Sequence, residues 1–186
     1  IDDNRSAGFA YLELARAEID AGKDSHARRF LDKAVKHPAS CEDALCERAD
    51  LFVRDNKASK AENDLRAASK NFAAAERKLL QDSDEAAART NFARARRLHE
   101  EALEARLAQG PVWWRLGQIR SSEGKPSEAI QFFERALEAD PALYETRFAL
   151  AILLAKTGRD EESTAHLEAV VDANWSHAEA HFHLGE

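Results

Sequence analysis

Three histidines close to the C-terminus, His177, His181 and His183, come nearest in type and spacing to a metal site. His177 and His181 are four residues apart and would share one helix face. His183 would point roughly 160° away from His181 and roughly 120° away from His177 at 100° per residue. A His-Glu-Glu stretch at residues 99–101 begins like a zinc-protease helix but lacks the second histidine. We therefore predict neither a bound metal nor another cofactor.

The sequence also lacks the usual signatures of catalysis. It contains no nucleophile elbow and no glycine-rich phosphate-binding loop. Acidic residues number 34, and no spacing singles out a pair for acid–base work. We therefore predict that the chain is not an enzyme.

Cys41 and Cys46 are the only cysteines, and their spacing is not that of a metal-binding motif. Two buried thiols are one interpretation. The other is a local disulfide, with Cys41 just outside a helix and Cys46 in its first turn, which would indicate an oxidising compartment such as the periplasm. Without that disulfide we expect a cytoplasmic protein.

The charge of the chain argues against a dedicated nucleic-acid binder, because the net charge is −7 and the pI is near 5.6. The densest basic cluster consists of Arg89, Arg94, Arg96 and Arg97. Glutamates follow Arg96 and Arg97 four residues later, which is typical of a solvated helix face. No apolar run is long enough to cross a membrane. We therefore expect a protein or peptide partner, with no nucleic acid and no membrane insertion.

Helix-forming residues dominate the composition, which includes 37 alanines. Small residues also recur every 34 positions in three columns that stay in phase. The first column is Ala27, Ala61, Ala95, Ala129 and Ser163; the second is Ala34, Ala68, Ala102, Ala136 and Val170; the third is Ala15, Ala49, Ser83, Gly117, Ala151 and Gly185. Because small side chains let helices approach closely, these columns predict interlocking helices.

The most regular unit spans residues 110–143. Its characteristic residues are Trp113, Leu116, Gly117, Gly124, Ala129, Phe133, Ala136 and Pro141. This pattern resembles the tetratricopeptide repeat, a 34-residue helix–turn–helix unit. The resemblance implies an all-α fold, an α-solenoid in which antiparallel helix pairs form a right-handed superhelical array across residues 1–186.

We divide this single array into repeats at residues 8–41, 42–75, 76–109, 110–143 and 144–177, with a truncated sixth repeat at 178–186. Residues 42–109 contain neither Gly nor Pro. We favour two irregular repeats, with helix breaks near Asn56 and Thr90. An even number of helices is needed to bring residue 110 back into phase with the 34-residue repeat. The alternative is a long helical hairpin, whose first helix covers residues 61–80 and whose second starts at Asp82, capped by that residue, and runs to about Leu107.

In the tetratricopeptide family the first helices of the repeats line an inner groove. Carried over to this sequence, the resemblance implies a groove column of Leu12, Cys46, Leu80, Trp114, Phe148 and Phe182, and a second column that includes Arg16, Asp50, Gln118 and Ile152. The apolar first column suits an extended peptide or an amphipathic helix. Packing between adjacent helices is the competing explanation for the same residues.

The resemblance implies a protein–protein interaction scaffold that binds a partner peptide or helix in this groove. The alternative is a substrate- or partner-recruiting region of a larger enzyme, such as a transferase, whose catalytic domain lies outside this chain. The chain holds no Met and begins at Ile1, so we expect a fragment or a processed chain. The sixth repeat lacks a polar capping helix, which predicts self-association through the C-terminal helix.

Overall fold

The computed structural model describes residues 3–185, with side chains from Ser6 onward. Over this range the chain forms ten α-helices and no strand, which confirms the predicted all-α fold. The helices are α1 (Asp3–Asp20), α2 (Asp24–Ala34), α3 (Cys41–Arg54), α4 (Ala58–Ala88), α5 (Phe92–Leu107), α6 (Gln109–Ser122), α7 (Pro126–Ala139), α8 (Tyr144–Lys156), α9 (Asp160–Ala173) and α10 (Ala178–Leu184). The first and last residues of the predicted array lie outside the described range.

The helices pack as two compact units, and the division falls within α5, between Ala102 and Leu103. In the first unit α1 packs against α2, and α3 packs against α4. In the second unit α6 packs against α7, α8 packs against α9, and α10 also contacts α9. Each unit is therefore built from helix pairs that are consecutive in the sequence.

The three columns of small residues are almost entirely buried. All members of the first two columns are buried, from Ala27 to Ser163 and from Ala34 to Val170. The third column is buried from Ala15 to Ala151, whereas its last member, Gly185, is exposed. The small side chains thus mark the sites of close helix contact, as the period of the sequence predicts.

One turn geometry recurs with the same period as the small residues. Gly22, Asn56, Thr90, Gly124 and Gly158 all have positive φ, between 58° and 77°. At each turn the amide that follows this residue donates to a carbonyl five residues earlier, as Lys57 does to Phe52 (2.8 Å) and Asn91 does to Ala86 (2.9 Å). This bond is the mark of the Schellman helix ending. The helix breaks predicted near Asn56 and Thr90 are confirmed.

Helix α4 differs from both descriptions of the middle segment. It continues for 31 residues, from Ala58 to Ala88, without a break near residue 75. Asp82 therefore lies inside the helix, and the helix start predicted there is wrong. The reason is local: Ala73, Ala74 and Ala75 stand where a loop between repeats would fall, and alanine is the strongest helix former. The division of residues 42–109 at residue 75 stays a prediction.

Arg48 stands where the repeat pattern has leucine. Its guanidinium donates to both carboxylate oxygens of Asp64 on α4, at 2.7 and 2.8 Å, and to Asp32 on α2 at 2.7 Å. The side chains of Arg48 and Asp64 are only 18% and 12% exposed. The bond to Asp64 raises the pKa of Arg48, against the opposing effect of burial. An ion pair thus joins α2, α3 and α4 where other repeats use an apolar contact.

Both cysteines lie on α3 as reduced thiols, and both are half-buried. Cys41 is the first residue of that helix, and burial raises the pKa of its thiol. The local disulfide considered for Cys41 and Cys46 is not formed. None of the described helices combines the length and apolar character needed to span a bilayer.

Candidate partner-binding surface

Leu12, the first of the predicted groove residues, is 1% exposed. It belongs to the core of the first unit, whose buried members are Leu12, Ala15, Ala27, Leu31, Ala34, Ala44 and Leu51. Packing therefore accounts for this residue in the described structure. Cys46 and Leu80, the next two members of the column, are half-buried.

Arg16 and Asp50, two residues of the second predicted column, line one cavity in the first unit. The cavity has a volume of about 200 Å³. Its lining comes from α1 and α3: Arg16, Ile19, Asp20, Glu47, Asp50, Leu51 and Arg54. The structure thus brings the two residues together on a surface that is rich in charge.

Arg16 links the two helices that form this cavity. Its Nε atom donates to Glu47 Oε1 at 2.6 Å, and its Nη1 atom donates to Glu13 at 2.7 Å. The hydrogen bond to Glu47 raises the pKa of the guanidinium. Because both acceptors are carboxylates of the same unit, the positive charge of Arg16 is already neutralised within the fold.

In the second unit, Trp114 and Phe148 each have one side against a core. Trp114 packs on the cluster that contains Phe133 and Leu150, and Phe148 packs on the cluster that contains Leu167 and Ala180. Both side chains remain partly exposed. Trp114 and Phe148 are thus packed against a core on one side and exposed on the other. Neither helix packing nor partner binding alone explains the apolar column.

The remaining predicted residues of the second unit are more accessible. Gln118 on α6 is exposed, and Ile152 on α8 is half-buried. Phe182 on α10 is 79% exposed, as is Trp175 in the turn before that helix. Large exposed aromatic side chains are typical of interaction surfaces.

Aromatic rings and imidazoles form a cluster between α8 and α10, which we call the aromatic cradle. Its members are Tyr144, Phe148, His177, Phe182 and His183. The ring centroids of Phe148 and His177 are 4.7 Å apart, and those of Phe148 and His183 are 5.9 Å apart. Tyr144 meets His177 edge-on at 6.4 Å, and Phe182 meets His183 at 5.6 Å.

The three C-terminal histidines have separate contacts. His177 caps α10, because its Nδ1 atom accepts a hydrogen bond from the Ala180 amide at 3.2 Å. His181 Nε2 lies 2.8 Å from the carbonyl oxygen of Trp175, and His183 contacts the ring of Phe182. Over residues 3–185 no three His, Cys, Asp or Glu side chains converge as metal ligands.

Several residues of these surfaces were not among those predicted from the sequence. Ile19, Asp20, Glu47 and Arg54 line the charged cavity, and Tyr144 and His177 belong to the cradle. Tyr144 lies four residues before Phe148, so the periodicity of α8 places both on one face. That signal could have identified Tyr144. The contacts of His177 depend on how the turn before α10 folds, which the spacing of residues does not reveal.

Recurrent helix pairs, a turn repeated at a fixed period and cores of small side chains define a helical-repeat protein. Residues 120–181 match the family model of the tetratricopeptide repeat. The tetratricopeptide resemblance predicted from the sequence is therefore confirmed over these residues. No curated protein matches the chain in sequence.

Several solved structures are similar in fold. A structure of IFIT1 with m7Gppp-AAAA is 18% identical, with a TM-score of 0.56; the match covers 96% of this chain and 37% of that one. The PilF protein of Pseudomonas aeruginosa is 20% identical, with a TM-score of 0.45 and coverage of 97% and 82%. The repeat protein TTC0263 of Thermus thermophilus is 16% identical, with a TM-score of 0.44 and coverage of 96% and 97%. The chain thus spans little more than a third of IFIT1.

Proposed function

We propose that the chain is a non-catalytic scaffold that binds a segment of a partner protein, as an extended peptide or a helix. Helical-repeat proteins generally use the surfaces of their stacked repeats for this purpose. The observation that carries the proposal is the set of exposed and half-exposed aromatic side chains on α6, α8 and α10. In the second unit, Trp114, Phe148 and Phe182 form the proposed binding surface.

An apolar segment of a partner would bury these rings and release the water that covers them. Aromatic residues supply a large contact area with few rotatable bonds, so they are frequent among the residues that dominate binding energy. In the first unit, the cavity that holds Arg16 and Asp50 offers polar contacts instead. The charged cavity is proposed as the binding surface of the first unit, and the aromatic side chains are proposed as that of the second unit.

The test begins with a partner captured by the full chain and identified by mass spectrometry. We expect Trp114→Ala and Phe182→Ala each to weaken its affinity about tenfold or more, because truncation of a central aromatic residue removes on the order of 2 kcal/mol of binding free energy. Isothermal titration calorimetry measures the affinity, and circular dichroism checks that helicity is unchanged. Phe148→Glu should weaken binding further, although its contact with the core requires the fold to be verified.

Glu168→Ala provides the control, because Glu168 is an exposed residue of α9 that is not on the proposed surface. It should leave the affinity as it is. If Trp114→Ala and Phe182→Ala also leave it as it is, the partner binds elsewhere and the proposal fails for this surface.

A further inference from the structure

Two carboxylates lie on the helices that form the aromatic cradle. Glu145 follows Tyr144 at the start of α8, and Glu179 takes the equivalent place in the next repeat, at the start of α10. Both are exposed, and the side chain of Glu145 is 64% accessible. Two negative charges therefore occupy equivalent repeat positions on the two helices that carry the rings.

The imidazole of His177 lies close to one of these carboxylates and to the rings. It is nine-tenths buried, and its Nδ1 atom accepts the Ala180 amide, so the neutral ring carries its proton on Nε2. That nitrogen lies 4.0 Å from Glu145 Oε2. The same ring packs on Phe148 and on Tyr144. Glu145 and the aromatic faces are thus parts of one arrangement.

Positive charge is scarce around the cradle. Helix α10 contains neither lysine nor arginine, and residues 110–186 carry 7 basic and 13 acidic side chains. On α8, the guanidinium of Arg147 donates to the carbonyl of Pro141 at 3.0 Å, and Lys156 is the last residue of the helix, three turns from Tyr144. Neither of these side chains neutralises Glu145 by a contact that the structure shows.

We propose that the aromatic cradle binds a basic side chain, arginine or lysine, of a partner peptide. The cation lies against the rings of Tyr144 and Phe148 and faces Glu145, while a neighbouring apolar residue of the peptide covers Phe182. Aromatic faces attract cations through their quadrupole, and a nearby carboxylate adds a charge-assisted hydrogen bond. This inference rests on the proposed function and adds the chemistry of the partner, which is a basic segment with an apolar anchor.

Selection from a library of random twelve-residue peptides displayed on phage, with the full chain as bait, tests the inference. Three baits are compared: the wild type, a Glu145→Gln/Glu179→Gln variant, and a control variant with Glu161→Gln and Glu168→Gln on α9. The control removes the same charge from exposed positions outside the cradle. Circular dichroism verifies that all three baits are equally helical.

We expect the wild type and the control to enrich peptides that combine arginine or lysine with an apolar residue. The cradle variant should lose the enrichment of basic residues. The strongest peptide, measured by calorimetry, should bind the cradle variant about twofold to fivefold more weakly than it binds the control, the effect of roughly one exposed ion pair.

The other outcomes separate the two proposals. If the wild type enriches acidic or uncharged peptides, or if the cradle variant enriches the same basic peptides, the inference is overturned and the scaffold function stands. If basic peptides bind the control as weakly as the cradle variant, the preference reflects net charge and the inference is also overturned. If none of the baits enriches any peptide, the proposed function fails with it.

Discussion

At the scale of single residues, four positions of the third column show how the size of a small residue matches that of a buried apolar residue sixteen positions later. Ala15, Ala49 and Ala151 are followed at this distance by Leu31, Leu65 and Leu167, and all six are buried. Gly117 is followed instead by Phe133. A Cβ atom on Gly117 would lie 2.4 and 2.5 Å from two ring carbons of Phe133. Glycine is therefore required by the larger ring.

We expect Gly117→Ala to lower the free energy of unfolding by about 1–3 kcal/mol, the usual effect of overpacking a core. The double variant Gly117→Ala/Phe133→Leu recreates the alanine–leucine pair of the other repeats and should recover part of the loss. Urea denaturation followed by circular dichroism measures both values. If the two substitutions prove additive, with no favourable coupling between them, the contact does not limit residue size at this site.

The sequence predicted this part of the fold well, because each small residue lies at a fixed distance from its equivalents. It did not predict the role of Arg48, where the pattern has leucine. An isolated arginine in a repeat indicates a departure from the pattern, but its partners, Asp32 and Asp64, lie sixteen residues before and after it. Only the packing of three helices shows that these charges meet.

At the scale of elements, α4 shows how a local sequence removes a loop. Proline stands in the turn that follows α7, at Pro141, and in the turn that follows α2, at Pro38. The position after the second repeat that is equivalent to Pro141 is Ala73, and the helix continues through it. Proline lacks the amide proton that a helix interior needs, so its replacement by alanine permits the fusion of two helices. The turns at Asn56 and Thr90 form without glycine, because asparagine tolerates positive φ and because the hydrogen bond from the Asn91 amide to the Ala86 carbonyl closes the turn at Thr90.

Ala73→Pro should therefore lower the free energy of unfolding by about 3 kcal/mol or more, through loss of a helix hydrogen bond and a clash with the preceding turn. The matched control is Trp175→Pro, at the same position three repeats later. Trp175 is the second residue of a turn in which the His177 amide donates to the Asn174 carbonyl, a position that accepts proline, so we expect less than about 1 kcal/mol. Urea titrations of both variants make the comparison. Equal effects would mean that α4 is interrupted near residue 73 in solution.

At the scale of the whole molecule, the sequence predicted the helix pairs but only part of the candidate surface. The tetratricopeptide resemblance implied Trp114, Phe148 and Phe182 as groove residues, and their role in binding stays a prediction. It does not distinguish a residue that is buried by the next helix, as Leu12 is, from one that remains exposed, as Phe182 does. That distinction depends on which helices are neighbours, and neighbours are a property of the folded unit. Self-association through α10 stays a prediction.

The division into two compact units predicts how damage in one unit is confined. In a repeat protein each helix pair is stabilised mainly by its nearest neighbours, so local stability follows local contacts. Arg48→Met removes the hydrogen bonds of Asp64 in the first unit, which should destabilise that unit by about 2–4 kcal/mol because the remaining carboxylate is nearly buried. Gly117→Ala acts in the second unit.

Hydrogen exchange measured residue by residue should show reciprocal effects for these two variants. Arg48→Met should accelerate exchange of the amides in α2, α3 and α4 by at least a factor of ten, and should leave α7, α8 and α9 nearly unchanged. Gly117→Ala should do the opposite. If either variant accelerates exchange equally in both sets of helices, the chain unfolds as one cooperative body, and the boundary within α5 has no thermodynamic meaning. We expect faster exchange to stay within one unit because each unit has its own core, around Leu31 in the first and Phe133 in the second.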